Sequence, residues 1–367
     1  MKTDVVVVGA GPAGCAAAHD LALQGIRVRL LDRVEFPRKK VCAGGLTVKA
    51  RRALPYSAEP VVQRTVSSLA VSCRMRRQRF FTGKDPICHM VDRSAFDFFC
   101  LQKTVAAGAV FKIVNRIESI VETRGIVTMN TDFGPIRCRY LIGADGVHSR
   151  VRLLTGRFKA IRFGFGIEGI VKDLPDNDPG MGFDFDKVCG GYGWVFPKKD
   201  HINVGLYTQR WPARIRRQDL ADYASRRLGG APPEQVSGYR LGMGGWRYWP
   251  GRGRVLLAGD AAGLVDPLLG EGLYHAIVSG RKAARAVTDA MDTGCDACRS
   301  YGFALAPIQR ELLFARFAAA VFYRLPDMGY SLLTSPAARI PLMGGFARGM
   351  TLLDLVLNGV RFWIGRI

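Results

Sequence analysis

Cys42 opens a run of small residues, Ala43, Gly44 and Gly45, within the stretch FPRKKVCAGGL (36–46). A thiol can serve as an acid or a nucleophile. Removing side chains from successive positions costs backbone entropy, so this loop is expected to let something flat or bulky lie against the peptide itself. Carboxylates recur among glycines later in the chain. Asp145 lies in GADG (143–146), and RVLLAGDAAGLVDPLLGEGL (254–273) holds Asp260, Asp266 and Glu271 beside Gly259, Gly270 and Gly272. In GYGWVFP (191–197), Tyr192, Trp194 and Phe196 alternate and would share one face of a strand, either as an aromatic core or as an apolar wall.

Positioning these groups falls to a βαβ unit at the N-terminus. DVVVVGAGPAGCAAAHDLALQGIRVRLLD (4–32) reads as a strand, a helix to about Gln24 capped by Gly25, and a second strand ending at Asp32. The GxGxxG between strand and helix is in the context that gives it meaning. Gly9 permits the tight turn, Gly11 lets a pyrophosphate approach, and Gly14 lets the helix pack closely, while the helix N-terminus favours phosphate. Asp32 stands where a carboxylate accepts ribose hydroxyls. Asp145 and Asp260 both follow strand ends, where α/β proteins bind ligands. His148 reads as a capping or surface residue, and Asp266 and Glu271 as turn residues with a proton relay as the alternative.

Residues 161–171, 181–196 and 201–208 are short, β-rich and turn-punctuated, which predicts an antiparallel sheet beside the nucleotide unit. From about residue 295 the pattern is helical and apolar, with Pro326, Pro336 and Pro341 expected to break it into pieces. No stretch is long and apolar enough for a spanning helix, and no signal peptide fits ahead of the first strand.

The chain has 367 residues, 48% of them hydrophobic, and a formal net charge of +22. That charge either only aids solubility or answers an anionic neighbour. No recognition helix or aromatic-basic RNA motif supports nucleic acid, so the expected neighbour is the anionic face of a membrane. Nine cysteines lie singly in apolar or helical contexts and suit a reducing cytoplasm. Cys295 and Cys298 form an isolated CxxC, which with no second pair predicts no metal site.

The three motifs, in this order, resemble the FAD-dependent enzymes of the para-hydroxybenzoate hydroxylase superfamily. FPRKKVCAGGL, the YxWxFP stretch at 192–197 and GDAAGLVDPLLGEGL narrow the resemblance to the geranylgeranyl reductase family over residues 1 to 290. The resemblance implies an α/β fold with three parts. A discontinuous Rossmann-type FAD-binding domain takes residues 1–75, 92–155 and 250–292. A β-rich substrate domain takes 76–91 and 156–249, and a C-terminal helical region takes 293–367. It assigns FAD contacts to Gly9, Gly11, Pro12, Ala13, Gly14, Asp32, Arg33, Lys40, Ala43, Gly44, Arg93, Asp145, Gly259, Asp260, Gly270, Gly272 and Leu273. Tyr192, Trp194, Phe196 and Pro197 become a tunnel wall for a polyprenyl chain. Cys42 either shapes the pocket or protonates the carbon that does not receive hydride. Alanine after the cysteine, and Leu206 and Tyr207 after Gly205, depart from the family pattern.

The function implied is an FAD-dependent reductase that saturates C=C bonds in a prenyl lipid or quinone-type substrate. Its electron donor would be NAD(P)H or a ferredoxin acting as redox partner, and its place the cytoplasm, peripheral at the inner face of the membrane. The alternatives are an FAD monooxygenase or halogenase on the same fold, although the WxWxIP stretch of halogenases is missing, or a flavin electron-transfer protein.

Overall fold

The computed structural model describes residues 3–156, 161–172, 180–230, 232–247 and 249–364, with side chains to 358. Four consecutive valines, Val5–Val8, are buried and form the centre of a parallel sheet. Such a β-branched run suits a strand covered on both faces. Val28–Asp32 and then Val110–Ile113 lie on one side of it. Tyr140–Gly143 and Val255–Leu257 lie on the other, and Gly251–Arg252 closes the edge antiparallel. The helix Pro12–Leu23 covers this sheet with alanines and Cys15, which lets the long helix Leu273–Thr293 come close. A methyl group at Gly280 of that helix would collide with the Ala13 carbonyl.

A seven-stranded sheet stands beside the nucleotide unit, as expected from the β-rich middle of the sequence. Its order is Glu234–Met243, Arg162–Val171, Ile202–Thr208, Gly191–Pro197, Met181–Phe185, Ser68–Cys73 and Arg76–Thr82. The pairing is antiparallel except between Met181–Phe185 and Ser68–Cys73, which run parallel. Ser68–Cys73 thus sits in this sheet although its sequence neighbours suggest the nucleotide unit. The two faces differ. Val195, Val204, Leu206 and Ile167 pack under the helix Arg217–Leu228, whose Tyr223 fills the space left by Gly193. The other face carries Tyr192, Trp194, Phe196 and Tyr207.

A three-stranded meander, Ile117–Thr123, Ile126–Thr131 and Gly134–Cys138, was not read from the sequence. A second small sheet pairs Gly45–Thr47 and Val62–Val66 with Cys88–Val91. The C-terminal helices are Ala297–Phe322, Pro326–Thr334, Pro336–Ala347 and Leu352–Ile364. Pro326 and Pro336 open helices, as breaks should. Pro341 does not break one. It lies inside Pro336–Ala347, where burial of Met343 and contacts of Phe346 with the aromatic core outweigh the lost backbone bond.

Candidate cofactor and substrate site

A cavity of about 1010 Å³ runs between the two large sheets, with the Cys42–Gly45 segment in its wall. It begins at the dinucleotide fingerprint. Gly9 has φ +101°, and a side chain there or at Gly14 would overlap backbone, whereas a methyl at Gly11 would meet only Arg38 Nη2 at 3.7 Å. Gly11 therefore faces open space at the N-terminus of the helix Pro12–Leu23. Asp32 Oδ2 accepts the Ala10 amide at 2.7 Å, and Oδ1 accepts that of Arg33 at 2.7 Å.

Arg93 follows the N-cap Asp92, and its guanidinium is buried. It donates to Asp97 through Nε at 2.8 Å and Nη2 at 3.0 Å. Asp97 also faces Arg38 at 3.4 Å. The Asp97 carboxylate, with Cys42 as a further hydrogen-bond partner, holds Arg93 charged despite its burial. Lys40 Nζ sits 3.1 Å from the centre of the Tyr239 ring. Burial lowers its pKa to about 8, with Asp260 opposing.

The Cys42 amide donates to Glu168 Oε1 at 2.9 Å, and the Gly44 amide to Cys42 Sγ at 3.5 Å. Lys198 Nζ donates to the carbonyls of Ala43 at 2.6 Å, Val91 at 2.9 Å and Gly44 at 3.3 Å. A carboxylate from the seven-stranded sheet and an ammonium just past the end of its Gly191–Pro197 strand thus grip the loop's amide and carbonyl groups. Trp194 lies over Gly205, where a methyl would strike its ring, and its Nε1 donates to Asn203 Oδ1 at 2.8 Å. Tyr192 hydroxyl donates to the Leu269 carbonyl, and Tyr207 hydroxyl to that of Pro267 at 2.9 Å. Both tyrosines tie the aromatic face to the Asp266–Gly272 turn.

Residues 2–54 match the family described as FAD binding domain. The chain is 31% identical to the geranylgeranyl diphosphate reductase of Rhodobacter capsulatus over 317 residues, 80% of this chain and 77% of that one. It is 30% identical to the menaquinone reductase of Mycobacterium tuberculosis strain H37Rv, an alignment covering 100% and 94% of the two. The chain belongs to the geranylgeranyl reductase family. It is an FAD-dependent oxidoreductase of that family. A geranylgeranyl bacteriochlorophyll reductase-like protein of Thermoplasma acidophilum shares the fold, with TM-score 0.80, 20% identity and 98% of each chain covered.

The residues present fit FAD: an open glycine at a helix N-terminus, a carboxylate at the end of the second strand, and glycines on the wall farther on. Of the positions expected to touch it, Gly9, Gly11, Pro12, Ala13, Asp32, Arg33, Lys40, Ala43, Gly44, Arg93, Asp145, Asp260, Gly270, Gly272 and Leu273 line the cavity. Gly14 and Gly259 lie behind that wall. Gly14 packs on Gly9, and a methyl at Gly259 would meet the Ala13 and Ala276 side chains at 3.1 and 3.4 Å. Asp145 turns its carboxylate to Ser149 Oγ at 2.5 Å and to the amides of Arg150 and Val151 at 2.6 and 3.1 Å, capping a short helix.

Cys42, Tyr192, Trp194 and Phe196 line the same cavity, while Pro197 lies beyond it at the strand end. Asp266 is a turn residue: Oδ1 accepts the Leu268 and Leu269 amides at 2.6 and 3.1 Å. Glu271 pairs with Lys49 at 2.9 Å and Thr47 Oγ1 at 2.6 Å. His148 is exposed. Sequence reasoning missed Glu168, a single charge within an apolar strand, and Lys198, the first charge of the run Lys198-Lys199-Asp200 just after one. Only Glu168 carried a signal, the apolar company it keeps.

Proposed function

We propose that this oxidoreductase saturates C=C bonds in the isoprenoid chain of a prenyl lipid or quinone. The observation that carries the reading is continuity. One cavity joins the dinucleotide fingerprint to the aromatic face and onward to Phe322, Leu333, Leu342 and Phe346 of the C-terminal helices. At about 1010 Å³ it stands at the upper end of the roughly 300–1,000 Å³ common for ligand sites, room for a dinucleotide and a long apolar guest. When bound and reduced, FAD supplies hydride. The chain's own residues do the rest: Tyr192, Trp194 and Phe196 bind and orient the apolar chain and exclude water. Glu168 and Lys198 fix the Cys42–Gly45 segment, with Cys42 at the reacting end of the cavity. Two relatives named for a prenyl diphosphate and a prenyl quinone support this substrate class.

The route of entry is a membrane surface. Phe317, Leu325, Met328, Leu332 and Ile340 are 63%, 52%, 54%, 69% and 68% exposed on the helices that close the cavity's far end. With the net charge of +22, this supports peripheral contact with an anionic leaflet, the inner one for a cytoplasmic protein. No helix among the described residues is long and apolar enough to cross a membrane. Electrons come from NAD(P)H or from a ferredoxin docking on the basic surface.

Mass spectrometry of lipids and quinones from cells with and without the protein tests the reading. The expected result is a gain of one H₂ per saturated bond in a prenyl compound. No such change, or oxygen uptake matched by a hydroxylated product, would overturn it.

A further inference from the structure

Residues 74–79 read RMRRQR and form the hairpin between the strands Ser68–Cys73 and Arg76–Thr82. Arg74 is neutralised, meeting Asp186 at 2.7 Å and Asp327 at 3.2 Å. Arg76, Arg77 and Arg79 are exposed and have no carboxylate partner among the described residues. The turn is also strained. Arg74, Met75 and Arg77 hold φ of +52°, +57° and +52°, a region that glycine and asparagine occupy far more readily than arginine. Charge of either sign protects an edge strand, and Asn-Gly makes an easier turn. Neither need accounts for arginine kept at strained positions, which points to a use for the cations.

Their place is the end of the cavity near the C-terminal helices. Arg79 is the cross-strand partner of Val71, and Phe81 that of Leu69. Opposed residues share a face of the sheet, and Leu69 and Val71 line the cavity. Arg79 therefore carries that wall outward by one strand, to the rim. The helix Pro326–Thr334 meets it there: Tyr330 hydroxyl donates to the Arg77 carbonyl, and Leu333, one turn further on, lines the cavity. Burial raises the Tyr330 pKa, and the charges of Arg79 and Arg77 oppose the rise. The exposed Leu332 and Ile340 stand on this helix and the next.

We propose that Arg77 and Arg79 bind the phosphate-bearing head of the prenyl guest while its chain occupies the cavity. This rests on the reductase reading above and narrows it. A prenyl diphosphate or prenyl phospholipid answers the two cations, whereas the neutral head of a quinone leaves them with water. Guanidinium groups pair with phosphate through two parallel hydrogen bonds, and unpaired cations at a rim draw an anionic guest toward it.

Geranylgeranyl diphosphate and geranylgeraniol test the site, because they share one chain and differ in the head. Each is titrated into holoenzyme in neutral detergent, and binding is read from tryptophan fluorescence, Trp194 standing in the cavity wall. Wild type is expected to bind the diphosphate at least about tenfold more tightly than the alcohol, and less so as salt is added. Arg77→Gln with Arg79→Gln should remove that advantage and leave affinity for the alcohol within about twofold. Arg214→Gln with Arg217→Gln removes the same charge from an exposed segment elsewhere and should leave the diphosphate as tightly bound as in wild type. Inorganic pyrophosphate at equal concentration should not displace the prenyl diphosphate.

Equal affinity of wild type for the two prenyl compounds overturns the proposal while leaving a reductase of neutral substrates standing. So does an unchanged diphosphate affinity in the Arg77, Arg79 variant, an equal loss in the Arg214, Arg217 variant, or displacement by pyrophosphate. A Arg77, Arg79 variant that sediments less with phosphatidylglycerol vesicles yet keeps its diphosphate affinity assigns the arginines to membrane lipid and overturns it too. Wild type that binds neither prenyl compound overturns the prenyl reading of the cavity itself.

Discussion

Lys198 Nζ donates to the Ala43 carbonyl at 2.6 Å across 155 residues of chain, from a side chain only 4% exposed. The same ammonium holds the Val91 carbonyl at 2.9 Å. Lys198→Met would leave both oxygens without this donor, while Gly44 keeps the Val91 amide. An unsatisfied buried acceptor costs about 1–3 kcal/mol, partly offset here by no longer burying a charge. FAD affinity is expected to fall about tenfold, or about 1.4 kcal/mol, in a fluorescence titration of the apoprotein. Unchanged affinity would mean that the loop holds its shape without the lysine.

The same lysine sets a pH dependence. Burial depresses its pKa from 10.5 to about 8. Below pH 8 both folded and unfolded chains carry the proton. Between about pH 8 and 10.5 the unfolded chain keeps it and the folded chain sheds it, so this contribution to stability rises with pH across that window. Lys40, also near 8, acts in the same direction. Urea unfolding from pH 7 to 10 should therefore show a shallower rise for Lys198→Met than for wild type.

Gly11 and Gly14 should fail differently. A methyl at Gly11 enters the cavity without striking backbone. Gly11→Ala is expected to fold with a Tm close to wild type yet lose FAD at least tenfold, by roughly 1.4 kcal/mol or more. At Gly14 the methyl overlaps the Gly9 carbonyl, so Gly14→Ala should lose about 1–3 kcal/mol of stability or not fold. Calorimetry beside flavin absorbance separates the two.

Tyr207 stands in the cavity wall with its ring centre 5.2 Å from that of Tyr192. Tyr207→Gly removes a buried ring and the bond to Pro267, at a cost of about 3–5 kcal/mol. It also enlarges the space beside the aromatic face. The KM for longer or bulkier prenyl chains should fall relative to short ones, read from competing substrates by mass spectrometry.

Leu332 and Ile340 are expected to insert into lipid. Each contributes about 1.5–3 kcal/mol when buried, so Leu332→Asp with Ile340→Asp should lower binding to anionic vesicles at least tenfold. Sedimentation with vesicles of phosphatidylglycerol measures it, and added salt should weaken the wild-type binding as well. Equal binding by the double variant would move the contact to another surface.

The N-terminal unit was legible because its strand, glycines, helix and acid are contiguous, so each position is fixed by its neighbours. The aromatic face was legible for the same reason, since alternation within one strand decides it. Glu168 and Lys198 act across the gap between sheets, where sequence separation hides partners: Glu168 meets Cys42 from 126 residues away. The Ser68–Cys73 strand was placed with the FAD-binding segment 1–75, because its parallel partner Met181–Phe185 in the seven-stranded sheet lies more than a hundred residues later. Pro341 misled because a local rule yields when a helix has enough apolar surface to bury.

The Ser68–Cys73 strand also limits how this protein can be re-engineered. The sheet that would choose the guest is woven from chain before residue 83 and chain after residue 160, with nucleotide-unit strands in between. Grafting a relative's specificity onto this enzyme therefore requires transplanting two separated segments together. A single-crossover chimera would mate edges that never coevolved.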